Sequence, residues 1–62
     1  NFLATFPNAE YGIVSTVTKV SKGYAVTLID SESEMIVGCK VFPLDRLTEA
    51  INYAEKVANV IP

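Results

Sequence analysis

Sixty-two residues, half of them apolar and only 19% charged, describe a single small folding domain with no room for a second. Seven acids against five bases leave a formal charge of −2, which argues against a duplex-DNA or anionic-membrane binder with concentrated positive charge. One cysteine excludes an internal disulfide, and the lack of histidine removes the usual general base near neutral pH.

Residues 1–10 read as an N-terminal arm. Phe2, Leu3 and Phe6 are too apolar for a free tail, while Pro7-Asn8 interrupts regular structure. Three β-type runs follow over residues 11–42. Tyr11–Val20 is rich in Val, Ile, Thr and Tyr. Ser21-Lys22-Gly23 then turns the chain, with Gly free to take the positive φ of a short hairpin. In Tyr24–Ile29, Tyr24, Val26 and Leu28 share one face, and Ala25, Thr27 and Ile29 share the other. Asp30–Ser33 is a polar, acidic turn. Glu34–Phe42 forms the third strand, with Met35, Val37, Cys39 and Val41 alternating against Ile36, Gly38, Lys40 and Phe42.

The last segment, 44–61, is an amphipathic helix. Leu44, Leu47, Ile51, Ala54, Ala58 and Ile61 recur at steps of three and four, opposite Asp45, Thr48, Asn52, Glu55 and Asn59. Pro43 suits its first turn, and Asp45 lies near the positive end of its dipole. Ala50, Ala54 and Ala58 would let it lie close to a neighbour. The expected fold is α+β, a three-stranded antiparallel β-meander with one C-terminal helix packed on one face.

One helix covers one face of a sheet. Strands two and three carry apolar side chains on both faces, where a face turned to solvent should read polar. The uncovered side is therefore expected to meet the arm, a second copy of the chain or a partner. The energetics point the same way. Surface scaling for 6.7 kDa gives roughly 5,800 Å² removed on folding. If about 60% is apolar, burial contributes on the order of 87 kcal/mol, against about 90 kcal/mol of lost chain entropy. The two terms cancel, and association with another chain would supply the difference.

Few residues carry chemistry. Ser15, Ser21, Ser31, Ser33 and Cys39 have no histidine partner, and no G-x-S-x-G is present. No enzyme, cofactor or metal site is expected. Asp30-Ser31-Glu32-Ser33-Glu34 spaces oxygens as a calcium loop does, but Met35 stands where that loop needs Gly and Val41 where it needs Glu. Asp30, Glu32 and Glu34 are read instead as a solvated hairpin loop, presenting negative charge to a partner. Phe2, Leu3, Phe6, Tyr11, Tyr24 and Tyr53 are the candidate partner or dimer interface. Tyr53 and Val60 flank the helix stripe, and Arg46 and Glu49 form a surface pair. Lys19, Lys22 and Lys40 with Tyr24 are the candidate contacts for an alternative, single-stranded nucleic acid. No run is long enough to span a bilayer and no basic n-region precedes Phe2, so a cytoplasmic location is expected.

The stretch from Lys22 to Ala58 resembles the β-β-β-α units of HicB-like antitoxins. Gly23-Tyr24 opens a strand as those units do, and Glu49-Ala50 followed by Ala54 enters the helix through a similar segment. The resemblance implies a small protein-binding unit. The Pro-Gly-Cys type loop of those units is absent before the third strand, and no DNA-binding segment is expected after the helix. A second resemblance, through Asp30–Lys40, is to coactivator-like single-strand-binding domains. Neither supplies a matched functional residue. The function expected is a non-enzymatic, acidic interaction module, homodimeric, that binds and modulates another protein as an antitoxin, phage-type inhibitor or regulatory subunit does.

Overall fold

The segment expected to dock as an arm is itself a strand. In the computed structural model, which describes residues 2–59, β1 (Phe2–Asn8) pairs antiparallel with β2 (Ile13–Val20). Next come β3 (Gly23–Asp30), β4 (Ile36–Pro43) and helix α1 (Leu47–Asn59). The sheet has four strands in the order β1-β2-β3-β4, every neighbouring pair antiparallel. The small α+β architecture stands, and the expected strand count is corrected from three to four.

Pro7 is the residue that misleads. Proline cannot donate to a ladder, so it argues against a central strand, but an edge strand tolerates it. β1 is such an edge, and Pro7 sits opposite Val14 within it. The register slips between Phe2 and Ala4, leaving Leu3 as the extra residue. Asn8 then closes the strand. Its amide Nδ2 donates to the Ala58 carbonyl, one of the acceptors a helix end leaves open, while Oδ1 accepts from the Tyr11 amide at 3.2 Å.

Helix α1 lies on one face of the sheet through small residues. Ala50, Ala54 and Ala58 are buried, and Val17 and Val26 of the central strands complete the core with the first two. Ala4, Phe6, Tyr24, Phe42, Ile51 and Tyr53 pack around it. The expected stripe is thus rotated: Leu44 and Leu47 are exposed, and the alanine row makes the contact. The helix also begins later than expected. Leu44-Asp45 form a turn in which the Arg46 amide donates to the Pro43 carbonyl at 3.0 Å. The Arg46 carbonyl accepts the first helical bond from the Ala50 amide. Pro43 therefore ends β4 and does not open the helix. Val60 and Ile61, the expected end of the stripe, lie outside the described residues.

Two positions in the sheet depart from simple alternation. Gly38 pairs with Leu28 but Ile36 pairs with Ile29, so Val37 is bulged out of the ladder. Ile36 consequently shares a face with Cys39 and Val41. At the other end, Ser21-Lys22 alone make the β2–β3 turn, and Gly23 begins β3 directly against the backbone of β4.

Candidate functional site

Register assigns each side chain to one of two sheet faces. The helix face carries Ser15, Val17, Tyr24, Val26 and Phe42. Among the described residues, no element lies over the opposite face. Three four-residue cross-strand rows make up most of it, and Val20, Gly23 and Pro43 continue it at the β2–β3 turn. Pro7, Val14, Ile29 and Ile36 make one; Thr5, Thr16, Thr27 and Cys39 the next; Phe2, Thr18, Ala25 and Val41 the third. None of these twelve side chains is charged. The middle row runs three threonine hydroxyls to the Cys39 thiol, between two rows that are largely hydrocarbon. Thr27 Oγ1 lies 3.9 Å from Cys39 Sγ. Thr16, ringed by Thr5, Thr27, Val14 and Thr18, is only 3% exposed. The outer members are open: Phe2 is 67% exposed, Ile36 66% and Val41 54%.

A sheet face that carries no charge and that no described element covers has the character of a contact surface. It continues onto Met35 and Val37 at the β4 edge, both exposed. Neither a cavity nor a cluster of His, Cys, Asp or Glu able to hold a metal occurs among the described residues. The surface is an uncharged sheet face on which hydroxyl-bearing and hydrocarbon side chains lie in adjacent rows.

The residues singled out from sequence divide between this face and the rest of the molecule. Phe2 lies on it, Leu3 is exposed at the β1 bulge, and Tyr11 is exposed in the turn after β1. Phe6, Tyr24 and Tyr53 belong to the packing under the helix. Tyr53 meets Phe42 with ring centroids 5.4 Å apart. Asp30 has a structural task. Its Oδ1 accepts the amides of Glu32 at 2.9 Å and Ser33 at 3.2 Å, which shapes the β3–β4 loop. Glu32 and Glu34 are exposed beside it.

Lys19 pairs with Tyr24 across the ladder, on the helix side. The Lys40 ammonium sits 5.2 Å from the Phe42 ring centroid and 4.9 Å from that of Tyr53. Lys22 is in the hairpin turn. These lysines do not converge on the uncovered face. Arg46 Nη1 donates to Glu49 Oε1 at 3.1 Å, the surface pair expected from their spacing.

Sequence reasoning missed Val14, Ile36, Val37 and Val41 as named site residues. The signal was present in the double alternation of the strands, but the bulge at Val37 moves Ile36 to the open side and breaks the pattern. No family model matches the chain, and neither does any curated protein or solved structure.

Proposed function

We propose that this chain is a non-enzymatic protein-interaction module that binds and modulates another protein through the uncovered sheet face. The observation that carries this is the absence of charge from three successive cross-strand rows, twelve residues in all, over which no element lies among those described. Water gains little from such a face, and burying it against a second apolar surface returns about 25 cal/mol per Å². The exposed acids of the β3–β4 loop, Glu32 and Glu34, lie at the margin and would favour a partner with a basic rim. Self-association belongs to the same proposal, since a core this small gains from a second copy. A reducing, cytoplasmic setting suits an unpaired, exposed Cys39.

The test compares the wild-type chain with Val41→Lys and Ile29→Lys as bait in extracts of the native cell, with retained proteins identified by mass spectrometry. The expected result is a protein held by wild type and released by either variant, with far-UV circular dichroism unchanged. Retention that is indifferent to both lysines would remove the open face from the proposal. No retained protein, with no self-association by sedimentation, would end it.

A further inference from the structure

We draw no further inference here: the strongest candidate, the unpaired outer edge of β4 beside the uncovered sheet face, carries none because nothing in the structure shows what covers it.

Discussion

Gly23 and Phe42 approach so closely across the β3–β4 ladder that a β-carbon on Gly23 would overlap the Phe42 carbonyl oxygen. The obstacle is backbone, so no side-chain rotation relieves it, and Gly23 also has φ +157°. Gly23→Ala should therefore destabilise the fold by about 2–3 kcal/mol, equivalent to a Tm lower by about 10–20 °C for a domain of this size. Thermal melting followed by circular dichroism checks it. A melt within a few degrees of wild type would mean that β4 is not held against this turn.

Ser15 lies at the opposite extreme of comfort. Its side chain is fully buried on the helix face and its Oγ has no hydrogen-bond partner among the described residues. Removing an unpaired buried hydroxyl lifts a desolvation cost without losing a bond. Ser15→Ala should stabilise by about 1 kcal/mol, read as a shifted midpoint in urea with unchanged slope. A loss of stability would show that the hydroxyl finds a partner in solution.

Glu34 holds φ +61°, the left-handed conformation that a β-carbon disfavours. The loop imposes it: the Glu34 amide donates to the Asp30 carbonyl at 2.7 Å, and the Asp30 amide donates to the Met35 carbonyl at 2.8 Å. Glu34→Gly should gain about 0.5–1 kcal/mol. Asp30→Ala, which removes the acceptor for two loop amides, should lose about 1 kcal/mol, and Asp30→Asn should recover most of it. Urea unfolding of the three variants separates strain from bonding.

Local pattern made the two central strands and the helix legible, because alternation and three-four spacing are properties of neighbouring residues. What escaped the sequence depends on position in the sheet. Pro7 breaks a strand in the middle of a sheet and is harmless at its edge, and nothing around Pro7 states which applies. Val37 follows perfect alternation from Met35 onward, yet the ladder skips it, which carries Ile36 to the other face. The helix is similar. Leu44 and Leu47 outweigh alanine on any hydrophobic count, but only the Ala50, Ala54 and Ala58 row is small enough to bring α1 down onto Val17 and Val26. The double apolar character of the strands did reveal an uncovered face, though not which aromatics would occupy it.

Phe2 and Phe6 make that last distinction measurable. Four residues apart on a regular strand, they would share a face, but the slip at Leu3 sends Phe2 to the uncovered side beside Thr18 and leaves Phe6 opposite Ser15 under the helix. Phe6→Ala should therefore cost about 2 kcal/mol, less than a fully buried phenylalanine because Phe6 is only half-buried. Phe2→Ala should change stability by less than about 0.5 kcal/mol. The order should reverse in the extract experiment, where Phe2→Ala weakens retention of the partner and Phe6→Ala, if folded, does not. Equal stability losses at the two positions would place both rings on one face and remove the bulge from β1.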